Sequence, residues 1–415
     1  MPIFRPFKAV RPVPAKAKDI ASLPYDVMDS DEARIEVKKN PLSFIHVEKA
    51  EVDLPEGTNL YSEEVYNKAK ENLYNYIKNG NMIQDEKPAF YVYRQIMDGR
   101  TQTGLVGCAA TEDYMKNIIK KHELTRAAKE ADRIKHVDIC DAHSSPVFFT
   151  YRHRDDINAV VSKTVALAPE YDFVADDGIS HALWLISNDS DIATITNAFA
   201  DMDYLYVADG HHRTASAAKV GLIRKEANPN HTGQEEYNFF MTVIFPDNDL
   251  YIMDYNRVVK DLNGHSEEDF FYHIEEKFEI DLYDGDGPYH PEERHNFGMY
   301  TDGKWYKLTA KAGTFDENSP TKSLDVSILQ DNLLHPILNI GDPRTDERID
   351  FIGGIRGLKE LEKRVDSGRE VVAFAMYPTS IQELMDIADA GEIMPPKSTW
   401  FEPKLRSGLF IHLLK

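Results

Sequence analysis

Residues Tyr204 to Ala208 form an apolar run that stops at Asp209-Gly210-His211-His212-Arg213, and helical spacing follows at once through Ala217, Ala218, Val220 and Ile223. A buried strand turning sharply into a helix is predicted there. Glycine at such a turn lets the backbone approach a ligand closely. The first N–H groups of a helix, here one read as running on from Thr214, have no intrahelical acceptor and favour an anion. The imidazoles and the guanidinium add directed donors. Asp209 is the one acceptor among them, which suits a group that orients or deprotonates a hydroxyl, or that holds a metal. The plainer alternative makes Asp209 a helix cap and the histidines surface residues.

The chain has 415 residues, enough for two or three packed units. Its 70 acidic and 48 basic residues leave a net charge of −22, which repels a phosphodiester backbone, and no basic stripe offsets it. Nucleic acid is therefore not an expected partner. A small anionic ligand fits only where cations gather locally. No apolar run approaches the roughly 20 residues of a membrane span, and Met1 to Pro6 lacks a signal-peptide core. Neither membrane association nor secretion is expected, and a cytoplasmic location is. Cys108 and Cys140 read as reduced, buried residues. Nothing decides between a monomer and a homo-oligomer.

The first 25 residues read as a proline-rich extended segment ending at Pro24-Tyr25-Asp26-Val27. Helices are predicted near 31–39 and 62–78, with a short strand at Phe44-Ile45-His46-Val47 between them. A hairpin of 90–95 and 104–109 turns at Asp98-Gly99. Helical spacing covers 114–140 with a break near His122. Strands and helices then alternate: 147–151, 155–165, 182–186 and 192–202. Beyond 225 the pattern is richer in strands, with 239–245 expected to pair with 250–254, and Met299-Tyr300 with 305–308 across Asp302-Gly303. Helices follow near 326–334 and 358–365. A strand at 371–376 precedes a helix opened by a Ser380/Glu383 capping box. Polar stretches at 225–235 and 284–296 are the weakest links. They suggest an N-terminal α/β region, 1–225, and a β-rich region, 226–415.

Two further constellations gather cations. His122-Glu123-Leu124-Thr125-Arg126 precedes Lys129, Glu130, Asp132 and Arg133; with Thr125 as a cap, these charges share a helix face. Ordinary solvated pairs explain that spacing equally well. Glu123 beside His122 is also a reasonable acid–base position, and no second histidine follows at zinc-motif spacing. Near the C-terminus, Met394 to Leu409 combines three prolines with Lys397, Ser398, Thr399, Lys404 and Arg406, a set of donors for phosphate oxygens anchored by Trp400 and Phe401. A packed tail with exposed lysines is the alternative. Tyr255-Asn256-Arg257 ends a strand and either reaches a ligand or satisfies local backbone groups. There is no Walker or Rossmann glycine loop.

Taken in order, Pro24 to Val27, His122 to Thr125 with Lys129-Glu130 and Asp132-Arg133, Ala208 to Arg213, Tyr255 to Arg257 and Met394 to Leu409 resemble a bacterial and archaeal family catalogued as domain of unknown function 1015. The Asp-Gly-His-His-Arg turn is also similar to the phosphate-binding turn of ParB-like and sulfiredoxin-like folds, which include kinases of free L-serine. The resemblance implies a mixed-sheet α/β core of that type enlarged by insertions. It implies transfer of a phosphoryl group from pyrophosphate or a nucleotide to serine, with Mg2+ expected and no protein metal ligand assigned. Under it, Asp209, Asp26 or Glu123 would serve the hydroxyl. Gly210, His211, His212, Arg213, Thr214, Arg126, Arg133, Lys397, Ser398, Thr399 and Lys404 would hold the donor. His122, Thr125, Tyr255, Asn256 and Arg257 would contact the substrate. A non-catalytic sensor of a phosphorylated metabolite, and a metal-dependent phosphohydrolase using His122, His211 and His212, are the other readings.

Overall fold

A computed structural model describes residues 1–415. The chain divides into two compact units: Met1–Leu250 with Pro403–Lys415, and Tyr251–Glu402. The division lies some 25 residues beyond the expected boundary near 225. The polar stretch at 225–235 is only the link from the helix His211–Ala227 to the strand Phe239–Pro246, and that strand belongs to the first unit's sheet.

The first unit is built on a nine-stranded mixed sheet. Its order runs Ile119–Lys120, Leu205–Asp209, Val147–Tyr151, Phe239–Pro246, Arg100–Ala110, Phe90–Met97, Ser180–Ile186, Tyr171–Val174, with Phe4–Arg5 beside Arg100–Ala110. Leu205–Asp209 runs parallel to Ile119–Lys120, and Phe239–Pro246 parallel to Val147–Tyr151; the other pairs are antiparallel. Both central strands are buried along their length, as strands covered on two faces must be. Asp98 and Gly99 both take positive φ, the backbone of a tight hairpin turn, as the Asp-Gly pair predicted.

One core holds Phe4, Phe90, Phe149, Phe199, Leu205, Val207 and Phe240. A second gathers Phe44, Val47, Leu73, Cys140 and Ile411 around the helix Glu63–Lys78. The run Phe44–Val47 corrects the expected strand: Ile45–Glu48 is a single helical turn. Four apolar residues are too few to reveal their period, and packing against Glu63–Lys78 decides the matter. Both cysteines are buried and unpaired.

The second unit holds a six-stranded antiparallel sheet in the order Phe278–Leu282, Lys304–Ala310, Asn296–Thr301, Val372–Met376, Tyr255–Val259, Ile349–Gly353. The β-rich character expected of the C-terminal half is present, and the Asp302-Gly303 turn and the Ser380/Glu383 capping box form as read. The pairing of 239–245 with 250–254 does not form. Phe239–Pro246 lies between two strands of the first sheet, and Ile252–Met253 pairs with Trp400–Phe401.

Candidate active site at the strand-to-helix turn

The strand Leu205–Asp209 carries a bulge at its end. Val207 faces Phe149 and Asp209 faces Phe148, leaving Ala208 as an extra residue. Strict alternation would send Asp209 to the same face as Leu205 and Val207, whose side chains are in the core. The bulge re-aims it. Gly210 then takes φ 85° and ψ 34°, a conformation that suits glycine, and the helix His211–Ala227 begins. No side chain caps that helix and no acid sits in its first turn. The N–H of Thr214 is the first to find a carbonyl, that of Gly210 at 2.9 Å, so the N–H groups of His211, His212 and Arg213 have no acceptor within the helix.

Asp209 is fixed from both ends. Its Oδ1 accepts the N–H of Gly210 at 2.8 Å and its Oδ2 pairs with Lys404 Nζ at 3.0 Å. Burial opposes its charge, but Lys404 and Arg213 outweigh burial and hold the carboxyl well below the usual carboxylate range. Lys404 is placed by two buried glutamines: Gln102 Nε2 donates to Gln95 Oε1, and Gln95 Nε2 donates to the Lys404 carbonyl, each at 2.9 Å. Arg213 Nη1 donates to the Pro146 carbonyl at 2.9 Å, while its buried Nε has no partner. Burial works against the guanidinium charge, and Asp26 and Asp209 more than restore it.

The imidazoles differ from expectation. His211 is buried, its Nε2 3.2 Å from His122 Nε2 with the two rings edge to face. Burial, with His122 also feeling His211, pushes both down, His211 to about 4. His211 and His122 thus turn toward each other inside the unit, where His211 was expected to hold the donor and His122 the substrate. His212 Nε2 accepts the Arg126 N–H at 2.9 Å, which leaves its Nδ1 as the donor. No group of three or more His, Cys, Asp or Glu side chains converges as a metal cage requires.

The segment before the helix Ala127–Cys140 is also corrected. Thr125 does not cap it; the residue at the cap is Arg126, without a side-chain bond, and the Thr125 hydroxyl donates to Glu130 Oε2 at 2.6 Å. Glu130 also pairs with Lys219. Thr214 is buried and returns its hydroxyl to the Gly210 carbonyl at 3.1 Å, so it offers no donor to a ligand. Arg133 is buried, pairs with Asp132 at 2.8 Å and lies 4.1 Å from the Tyr25 ring centre. Asp26 is exposed in the turn Tyr25–Val27, and Glu123 is exposed ahead of the helix.

Tyr255, Asn256, Arg257, Lys397, Ser398 and Thr399 belong to the second unit and cluster there. Arg257 is buried, and both of its terminal nitrogens donate to backbone carbonyls, Nη2 to that of Lys397 at 3.0 Å. Lys397 Nζ lies 5.4 Å from the Tyr255 ring centre. Asn256 bonds Asp254 and the Met376 N–H, and the Ser398 hydroxyl donates to the Pro395 carbonyl at 2.6 Å. These polar groups stabilise one another. The sequence reading missed Glu48, a buried acid that lines cavities shared with Arg133 and, in the inner one, with Arg213. An acid at the end of an apolar run was the only signal for it.

A mixed-sheet α/β unit with a polar, uncapped strand-to-helix turn is the class that these features define. A family model described as protein of unknown function (DUF1015) matches residues 4–327, and the chain belongs to that family. No curated protein matches the sequence. Among solved structures, a conserved hypothetical protein from Pyrococcus furiosus is 13% identical, with 74% of this chain and 94% of that one covered and a TM-score of 0.36. A free serine kinase in complex with AMP is 14% identical over 73% of this chain and 90% of that one, TM-score 0.36. SbnI with a C-terminal truncation from Staphylococcus aureus is 9% identical over 74% and 87%, TM-score 0.40. Likeness at this level carries nothing about chemistry.

Proposed function

We propose that the chain transfers a phosphoryl group from pyrophosphate, ATP or ADP to the hydroxyl of free L-serine, giving O-phosphoserine. The observation that carries this reading is the trio of Asp209, Lys404 and Arg213 around an uncapped helix start. Phosphoryl transfer asks chiefly for positioning and charge neutralisation, which free N–H groups, a guanidinium and an ammonium supply. The N–H groups of His211 to Arg213 and the Arg213 guanidinium would take oxygens of the transferred group, and Lys404 would balance its charge.

Asp209, held ionised by two cations, is a weak base, and its role is to place Lys404 and orient the acceptor. In a dissociative transfer the hydroxyl proton leaves late, so the exposed carboxylate Asp26 suffices to receive it. The acceptor O–H bond breaks, an O–P bond forms, and the donor's P–O bond breaks to release phosphate, ADP or AMP. The acids and histidines at the turn do not form a protein metal cage, and no step is assigned to a metal.

Purified protein is assayed with serine and each donor, with and without magnesium. O-phosphoserine is expected with at least one donor, and Asp209→Asn should lower kcat by about a hundredfold or more. Absence of product with all three donors sinks the enzyme reading. Tight donor binding without turnover would favour the sensor.

A further inference from the structure

Beside the turn, the first unit encloses a cavity of about 260 Å³ between the Tyr25–Val27 turn, the Ile45–Glu48 and Ala50–Asp53 turns, and the helices Glu63–Lys78 and Ala127–Cys140. That is far more than the ~10–15 Å³ one water needs. One wall is apolar, from Met28, Leu60, Val65 and Ala69. The rest is charged, and most of that charge is internally matched. Glu51 pairs with Lys49 at 3.2 Å and accepts the Ser30 hydroxyl at 2.8 Å. Asp132 pairs with Arg133 at 2.8 Å and accepts the Tyr66 hydroxyl at 2.8 Å.

Three charged lining groups remain without a hydrogen bond or ion pair: Asp26, Glu48 and Lys129. Glu48 is the informative one. It is 3% exposed, and its Oε1 has no partner. A buried carboxylate oxygen with no donor is costly even where guanidinium charges lie near, and such an oxygen marks a place where a partner arrives. Glu48 and Asp26 both strengthen the positive charge of Arg213, so they lie within its field. Arg133, Glu48 and His136 line this cavity and also a smaller inner one of about 30 Å³ that Arg213 borders. The lining groups without a hydrogen bond are thus of both signs: the buried Glu48, which also faces the guanidinium of Arg133, and the exposed Asp26 and Lys129, next to the proposed transfer site.

We infer that this cavity is the acceptor pocket and that it reads a free α-amino acid as a zwitterion, the ammonium on Glu48 and the α-carboxylate on Lys129. The direction of the hydroxyl, toward Arg213 with Asp26 beside it, rests on the phosphoryl-transfer reading; the binding itself does not. A neutral alcohol or a hydroxy acid would leave Glu48 without a donor, so both α-substituents must be free. The volume leaves room beyond serine, and homoserine should be accepted as well.

Calorimetry on the full-length protein tests this with L-serine, L-homoserine, glycerate, N-acetyl-L-serine and, as a separate probe, pyrophosphate. Serine or homoserine should bind, and glycerate and N-acetylserine should bind at least tenfold more weakly. Glu48→Gln should lose at least tenfold in amino-acid affinity while pyrophosphate affinity does not fall. Should that variant fail to fold, Lys129→Ala, at an exposed position, carries the same expectation for serine. Equal binding of glycerate and serine overturns the assignment. So does unchanged amino-acid affinity in both variants, or pyrophosphate binding with no amino-acid binding. Amino-acid binding without pyrophosphate binding would support the pocket and remove the phosphoryl-transfer reading.

Discussion

At Gly210 the left-handed φ of 85° is imposed by the passage from bulge to helix. A Cβ there would meet Arg213 Nε at 3.4 Å, an ordinary contact, so strain and not crowding is the penalty. Gly210→Ala should therefore destabilise by about 1–2 kcal/mol. A urea titration would read this as a lower midpoint with unchanged slope; an unchanged midpoint would mean that the turn relaxes freely. The residue types at this turn were legible because an acid, two imidazoles and a guanidinium in a row have few purely structural uses. Their individual duties were not. Burial is the main cause that pushes His211 down to about 4, and the ring it meets there belongs to His122, 89 positions earlier; no local pattern encodes such a partner. Thr214 was read as holding the donor and Thr125 as a cap and substrate contact, yet both hydroxyls donate to protein acceptors. Lys404 lies beside the turn, paired with Asp209, and the buried Gln95 and Gln102 that hold it were invisible in sequence.

Among the elements, long periodic helices and Asp-Gly hairpins were readable because a dozen side chains repeat one period, or because one dipeptide fixes a turn. The single turn Ile45–Glu48 and the partners of Phe239–Pro246 were not, since short runs lack a period and sheet pairing is settled by distant strands. The strand Arg100–Ala110 shows how tightly this sheet is filled. A Cβ on Gly107 would stand 2.6 Å from Phe4 Cζ and 2.8 Å from Phe90 Cε1. Gly107→Ala should cost about 1–3 kcal/mol through overpacking. Measured loss of stability below about half a kcal/mol would show that those rings have space to move.

At the scale of the whole molecule, the chain leaves its first unit at Leu250 and returns at Pro403, a path no composition change announces. The returning segment adds buried Leu405, Leu409, Phe410, Ile411 and Leu414, and pairs His412 with His143. The molecule also buries neutral histidines. His122, His136, His143, His181, His211 and His412 are all pushed below the ordinary imidazole range, burial being the main cause, with His181 at about 3 and His211 at about 4. Unfolded, they titrate near 6.5. Below pH 6.5, down to about 4 for His211 and about 3 for His181, the unfolded chain binds protons that the native one refuses, so this stability is full above 6.5 and is lost as pH falls through that window. Urea midpoints at pH 8, 6 and 5 should fall in that order; a flat series would place these imidazoles in contact with water.

The proposal of an anion at the helix start is tested most directly by equilibrium binding of pyrophosphate to the full-length protein, to Lys404→Met and to Arg213→Ala. Saturable binding that weakens with added salt is expected for the unaltered chain, with at least a tenfold loss in each variant. Equal affinity in all three proteins, or no binding to the unaltered one, would contradict it.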